Sequence, residues 1–407
     1  MIHIGLVLFY ASLATVLPAS LLEDSSCFSL GRGNVSGSGC SHRESHTPVA
    51  FARPQNSSSE GHITCACSIP DFGAALCDEE RSVLVVWTGE STVDVQLSPL
   101  SNPVGAIYFD GKLYVACFGG TGDAGLAVVD PFGGKLLKTY SYLANNNSYV
   151  HNVYTFSWNG QSEIFLAVLG NPWAFPPVPG DGLVWFNRQS EKFVLVTSGT
   201  INARSAVQQS EHVFYILTQE PKDAPTRIIR LLREGHQLLV QAVTELPARS
   251  RSGRWGGDGG ADVLLGRSGD TLFCTDRAAG LGKLYYYSYS NGSFSLMNQW
   301  DTGNHPRHAS MMSNGDIVVS NRDDSTITVF RDVANTPLAT RVETAVVNAA
   351  DEASLFFCTP TLNDCQAKLD YHSFFLSSQG YARSPHLIKN AACKVFVVFY
   401  VGILLWT

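Results

Sequence analysis

Short apolar runs alternate with polar turns along the 407-residue chain, and nowhere does a 3.6-residue period persist long enough for a long amphipathic helix. The clearest unit lies between Gly303 and Phe330. Ser313-Asn314-Gly315-Asp316 is turn chemistry, and the β-branched runs Ile317-Val318-Val319 and Thr326 to Phe330 flank a polar loop, which predicts strand, turn and strand. The phrase recurs. Ser268-Gly269-Asp270-Thr271-Leu272-Phe273 repeats it at an offset of 46 residues. Weaker copies begin at Asp110-Gly111, Asn159-Gly160 and Ser210-Glu211-His212, each followed by an apolar run.

The copies are spaced by 46 to about 58 residues, near the ~40–50 of a four-stranded propeller blade. Five blades are visible directly. Arg81 to Thr88 supplies strand material for a further one, and Glu343 to Cys358 for another. The expectation is an all-β protein, a β-propeller of six or seven blades with seven preferred, each of four antiparallel strands. Composition agrees: 36 glycines, 18 prolines, 11% aromatic and 15% charged residues suit many short, half-buried strands with tight turns. A net charge of −7 without a basic stripe speaks against nucleic acid and against a polybasic membrane surface.

The two ends differ from the middle. Residues 1–20 have an apolar centre of signal-peptide length and small residues at Ala19 and Ser20, so a secretory signal is expected, although His3 and the α-amino group are its only positive charges. Residues 21–80 turn to Ser, Gly, Asn and Pro and carry Cys27, Cys40, Cys65, Cys67 and Cys77. A loop-rich segment stapled by disulfides is expected there, for example Cys27 with Cys40 and either Cys65 or Cys67 with Cys77. The propeller is assigned to 81–360 and a tail to 361–390. The run 391–407 is short for a spanning helix and resembles a GPI-attachment signal or a single anchor. Asn34, Asn56, Asn146 and Asn291 open glycosylation tripeptides. Together these features predict a secreted or extracellular-surface protein, tethered through its carboxy-terminal run and monomeric. Cys117 and Cys274 sit inside strand patterns and are expected to be buried thiols.

The polar residues with chemical potential cluster near predicted strand starts. His305, Arg307 and His308 place two imidazoles and a guanidinium where a fixed donor array can hold an anion. The run Gly253 to Gly260 lacks the Lys-Ser/Thr of a phosphate loop and reads as a rim, with Asp258 and Asp262 nearby. Arg322 reads as an ion-pair partner between blades. No ordered set of Asp, Asn and Glu for calcium is visible, so no metal and no cofactor are expected.

Pro306-Arg307-His308, then a turn and a strand, then Ser320-Asn321-Arg322 and Ile327-Thr328-Val329-Phe330, resembles the seven-bladed β-propeller lactonases, the group of bacterial-type 6-phosphogluconolactonase and fungal carboxymuconate cyclase. The resemblance spans residues 104–330 and is specific in the last two clear blades. It implies catalytic roles for His151, Arg204, Glu220 and Arg277, with Arg307 and His308 binding substrate. Glu220 or His151 would be the base, and the arginines would hold anionic oxygens and the developing oxyanion. Ser205 stands where the family has His after Arg204, and Cys117-Phe118 offers no acidic residue. Two functions follow as expectations: a lactonase for a small sugar or sugar-acid lactone, or a non-catalytic propeller that binds a protein or glycan.

Overall fold

The computed structural model describes residues 49–50, 63–69, 73–87, 91–142, 148–171, 174, 176–221, 224–247, 259–277, 280–311, 315–324, 326–331, 333, 341–346 and 357–358. These form six four-stranded antiparallel sheets, each built from consecutive strands, and one two-stranded sheet. The architecture is a β-propeller. Blade one consists of Ile63–Ile69, Gly73–Asp78, Val83–Trp87 and Thr92–Gln96; blade two of Pro103–Phe109, Lys112–Cys117, Gly125–Asp130 and Lys135–Ser141. Blade three runs Tyr149–Trp158, Gln161–Gly170, Gly182–Asn187 and Lys192–Leu195, and blade four Ala203–Ser210, Val213–Thr218, Arg227–Glu234 and Gln237–Glu245. Blade five is Gly260–Leu265, Thr271–Asp276, Leu281–Ser290 and Ser293–Asn304; blade six is Pro306–Met311, Ile317–Asn321, Thr326–Arg331 and Arg341–Val346. The first strands of neighbouring blades lie against one another around the centre.

Val49–Ala50 pairs antiparallel with Phe357–Cys358, and that strand lies against Ile63–Ile69 of blade one. The described residues therefore hold six complete blades and a two-stranded sheet that joins residues 49–50 to residues 357–358. Glu343 belongs to the fourth strand of blade six, while Phe357–Cys358 contributes to the closing pair. Arg81 to Thr88 supplies a third strand, Val83–Trp87, because Ile63–Ile69 and Gly73–Asp78 precede it in the same sheet. Those two strands lie inside the segment read from sequence as loop-rich. Its cysteines hid the alternation: Cys65 and Cys77 are directly opposed in the sheet and joined by a disulfide, with Cα atoms 5.0 Å apart. The signal-like residues 1–20, Cys27, Cys40, Asn34, Asn56, Asn146 and the carboxy-terminal run lie outside the described residues.

Burial explains the blade pattern. Second strands are apolar throughout, as in Ile164 to Gly170 and Phe214 to Leu217, because both faces are covered by neighbouring blades. Fourth strands such as Lys135–Ser141 are largely exposed and polar. Between blades three and four, Tyr154, Phe156, Trp158 and Phe165 pack against Phe214, Ile216 and Ile229. Each such ring contributes roughly 1.5–3 kcal/mol on burial. Asp110-Gly111 and Asn159-Gly160 link first to second strands with positive φ at both residues, 52° and 74° in one, 55° and 72° in the other. That geometry matches the right-handed strand twist of a two-residue hairpin and selects Asn or Asp followed by Gly. Cys117 and Cys274 are fully buried, and burial pushes both thiols up.

Candidate active site

All six blades carry a β-bulge at the same end of the first strand. In blade four Ala203 pairs with Thr218 and Ser205 with Leu217, which leaves Arg204 as the extra residue. The register skips Arg307 in blade six, His151 in blade three, Val104 in blade two and Thr64 in blade one in the same way. In blade five, Ala261 and Asp262 together oppose Thr275. A bulge re-aims the side chain it carries. Three of the candidate residues, His151, Arg204 and Arg307, thus owe their placement to one repeated irregularity rather than to strand alternation.

In blades four, five and six the amide that follows the bulge is satisfied by the preceding blade. Ala206 N donates to Tyr154 Oη at 3.1 Å, Val263 N to Ser205 Oγ at 3.3 Å, and Ala309 N to Asp262 Oδ2 at 3.2 Å. Ser205 also donates its hydroxyl to Asp262 Oδ1 at 2.6 Å. Ser205 and Asp262 thereby fix the bulges of blades four, five and six relative to one another. The serine that departs from the family pattern is part of this lacing.

A second set comes from the residue after the second strand in blades two, four, five and six, whose amide bonds back to the residue before the first strand. Phe118 N donates to Asn102 O, Gln219 N to Asn202 O, Arg277 N to Gly259 O and Arg322 N to His305 O. Gln219, not Glu220, therefore holds the position equivalent to Arg277. Gln219 Oε1 accepts from Arg204 Nη1 at 2.5 Å, and Arg204 Nε donates to Ala261 O at 3.1 Å. Arg277 donates to Gly259 O at 3.2 Å and Gly260 O at 3.3 Å. Both arginines are about 3% exposed.

The cations converge. Burial, with Arg277 and Arg307 nearby, pulls the Arg204 guanidinium well below its usual pKa. His151 is pushed well below the ordinary imidazole range by burial and by Arg204, Arg307, Arg277 and His308. His308 is lowered to about 3 by burial, Arg307 and Arg204, and lies 3.9 Å from Asp262 through Nδ1. His305 is lowered strongly by burial and by Arg277, Arg322, Arg307 and Arg204. At neutral pH the imidazoles are uncharged and the arginines carry the field. His151 Nδ1 and His305 Nε2 are buried and have no hydrogen-bond partner among the described residues. The His151 ring meets the edge of Phe118, which stacks on Tyr149 at 4.2 Å. Arg307 lies 4.0 Å from Glu79, the residue after the second strand of blade one.

Glu220 is placed differently. Its Oε1 accepts from Arg227 Nη2 at 2.6 Å and Nε at 3.0 Å, and its Oε2 accepts from Asn202 at 2.7 Å. Glu220 is 4% exposed, buried in spite of lying after the second strand. Arg322 pairs with its own neighbour Asp323 at 2.9 Å. His151, Arg204, Arg277, Arg307 and His308 are brought together, and Asp262, Gln219 and His305 join them. Sequence reasoning left Asp262 without a role and gave His305 no part in catalysis. The alignment of blade starts, which puts Asp262 beside Ser205 and His308, was the available signal. Among the described residues no group of three or more His, Cys, Asp or Glu is arranged to hold a metal ion.

Residues 231–352 match the family model described as "Lactonase, 7-bladed beta-propeller". The match covers less than half of the chain. Arg277, His305, Arg307, His308 and Arg322 fall inside the matched segment, while His151 and Arg204 precede it. No curated protein matches the chain. The periplasmic gluconolactonase PpgL of Pseudomonas aeruginosa is similar with a TM-score of 0.52 and 17% identity, over 81% of this chain and 93% of that one. The β-propeller domain of Cps50 (Swd1) from Myceliophteria thermophila is similar with a TM-score of 0.51 and 13% identity, over 76% and 97%. At such identities the likeness shows the fold alone. A gluconolactonase and a Swd1 domain share it about equally, so the chemistry has to be argued from the side chains.

Proposed function

We propose that this protein is a lactone hydrolase acting on a sugar-acid lactone that carries a carboxylate or phosphate, with 6-phosphogluconolactone as the model compound. One observation carries the reading. Arg204 is buried, makes its hydrogen bonds to neutral oxygens and has no carboxylate within ion-pair distance among the described residues, while Arg277 and Arg307 add to its field. Asp262 acts on Arg204 only from beyond ion-pair distance, and a buried cation without a direct ion pair favours an anionic ligand. Guanidinium groups bind carboxylate or phosphate oxygens bidentately and can also stabilise the oxyanion of a tetrahedral intermediate. The proton of the attacking water goes to an imidazole, since both Glu220 oxygens are engaged. His151 and His305 each present an unpartnered nitrogen for it. The reaction needs no metal in this reading.

A position outside the cell is part of the proposal. It rests on the signal-like residues 1–20, on the Cys65–Cys77 disulfide and on the acceptor Asn291, which sits at an exposed hairpin tip. The carboxy-terminal run is proposed as the tether. A second reading, an anion-binding propeller without turnover, draws on the sealed Glu220 and on the low basicity of imidazoles set among arginines. Hydrolysis of aldonolactones with and without a 6-phosphate separates the two. Turnover that is lost in Arg204→Met supports the enzyme, and phosphate binding without turnover supports the binder.

A further inference from the structure

We propose that His305 is the general base of this site and Asp323 the residue that positions it; the inference rests on the lactonase reading above. His305 occupies the place before the first strand of blade six, equivalent to Asn102 in blade two and Gly259 in blade five by their shared bond to the following ring residue. Asn102 has φ 55°, Gly259 141° and His305 55°, whereas Asn202 at the same place in blade four has no positive φ. His305 thus holds a positive φ that the place itself does not impose.

The side chain shows what it gains. His305 Nδ1 lies 3.5 Å from Asp323 Oδ2, whose other oxygen accepts from Arg322 Nε at 2.9 Å. Nε2 is buried with no hydrogen-bond partner among the described residues, and the side chain is 11% exposed. Burial, with Arg277, Arg322, Arg307 and Arg204 nearby, depresses its protonation. The other imidazoles lack this arrangement. His308 faces Asp262 at 3.9 Å and has the Thr64 backbone against it, and His151 has no carboxylate within ion-pair distance among the described residues. A carboxylate 3.5 Å from Nδ1 favours the tautomer in which Nδ1 carries hydrogen and Nε2 holds the lone pair.

The step balances with water alone. The water oxygen forms a bond to the lactone carbonyl carbon as one of its protons moves to His305 Nε2, and the carbonyl π pair becomes an oxyanion facing the arginines. Collapse re-forms the carbonyl and breaks the ring C–O bond. The departing alkoxide takes the proton back from Nε2, giving a hydroxy acid that ionises into solvent. An anion already seated on the arginines offsets their share of what holds His305 neutral, burial supplying the rest, so the base strengthens when substrate is bound.

The test uses the full chain with 6-phosphogluconolactone and D-glucono-1,5-lactone as probes. His305→Gly and His305→Asn both suit the left-handed backbone, so melting temperatures no lower than wild type are expected. The predicted kinetics are a fall in kcat of about 10²-fold or more with KM within about threefold. Added imidazole restores part of the rate to His305→Gly and none to wild type. Asp323→Asn moves the acidic limb of the kcat profile, which a merely structural carboxylate would not do. An active wild type with His305→Gly turning over within about threefold overturns this assignment and leaves the lactonase reading standing. A folded wild type that hydrolyses neither probe overturns both.

Discussion

Arg227 holds Glu220 through two guanidinium hydrogen bonds to one carboxylate oxygen, while Asn202 occupies the other. The pair ties the loop after the second strand of blade four to its third strand, next to the Gln219 that orients Arg204. Glu220 is therefore a support for the site. Glu220→Gln is expected to destabilise the protein by about 1–2 kcal/mol, since hydrogen bonds to charged groups contribute on that order. Its kcat should stay within about threefold of wild type, measured beside a thermal melt. A loss of about 10²-fold or more at unchanged melting temperature would restore Glu220 as the base.

In the proposed reading Arg204 serves the anion and is held at a stability cost. Its field is shared with Arg277 and Arg307 and is not neutralised by an ion pair among the described residues. Arg204→Met is expected to leave stability unchanged or raise it by about 1 kcal/mol. Phosphate, which should raise the melting temperature of wild type, should lose that effect in the variant. Equal stabilisation by phosphate in both proteins would show that the anion sits elsewhere.

The three neutral imidazoles set a pH dependence. Their folded pKa values are depressed, so the unfolded chain binds more protons than the native state at mildly acid pH. Stability is then full above the ordinary imidazole value of about 6.5 and falls as pH drops toward 3, the region of folded His308. Each proton involved adds a slope of about 1.4 kcal/mol per pH unit. Urea unfolding between about pH 4 and pH 8 tests this. His308→Gln should flatten the curve, and phosphate should lessen the acid loss by cancelling arginine charge.

On the opposite end of the blades, Arg233 lies over the Trp158 ring at 3.8 Å and pairs with Glu211 at 2.8 Å. This joins the end of the first strand of blade three to the third strand of blade four. Arg188 over Phe109 at 4.7 Å repeats it one blade earlier. Arg233→Ala is expected to cost about 2 kcal/mol, and Arg233→Lys to recover only part, because a compact ammonium lacks the planar face and fork. Urea unfolding followed by Trp158 fluorescence reads the effect, with lactone turnover unchanged.

The blades were legible because hairpin turns leave a chemical mark. Asp110-Gly111 and Asn159-Gly160 carry the two positive φ angles that their composition announced. The strands Ile317–Asn321 and Thr326–Arg331 lie where β-branched residues cluster. Arg204, Arg277 and His151 were reachable through motif position. The bulges were not, because a register slip is a property of two strands and leaves no residue type of its own. Gln219 was passed over for the acidic neighbour, although equivalence to Arg277 depends on pairing with Asn202 rather than on charge. His305 stood in view beside Pro306, but in sequence a residue between two strands reads as turn material.

The central claim is that the site built around Arg204, Arg277 and Arg307 hydrolyses an anionic lactone. Initial rates on 6-phosphogluconolactone and D-glucono-1,5-lactone, with and without a chelator, test it directly in the wild type and Arg277→Ala. The account predicts chelator-insensitive turnover, faster on the phosphorylated lactone, that falls by about 10²-fold or more in the variant while the fold persists. Folded wild type that leaves both lactones at their spontaneous rate of hydrolysis would contradict it.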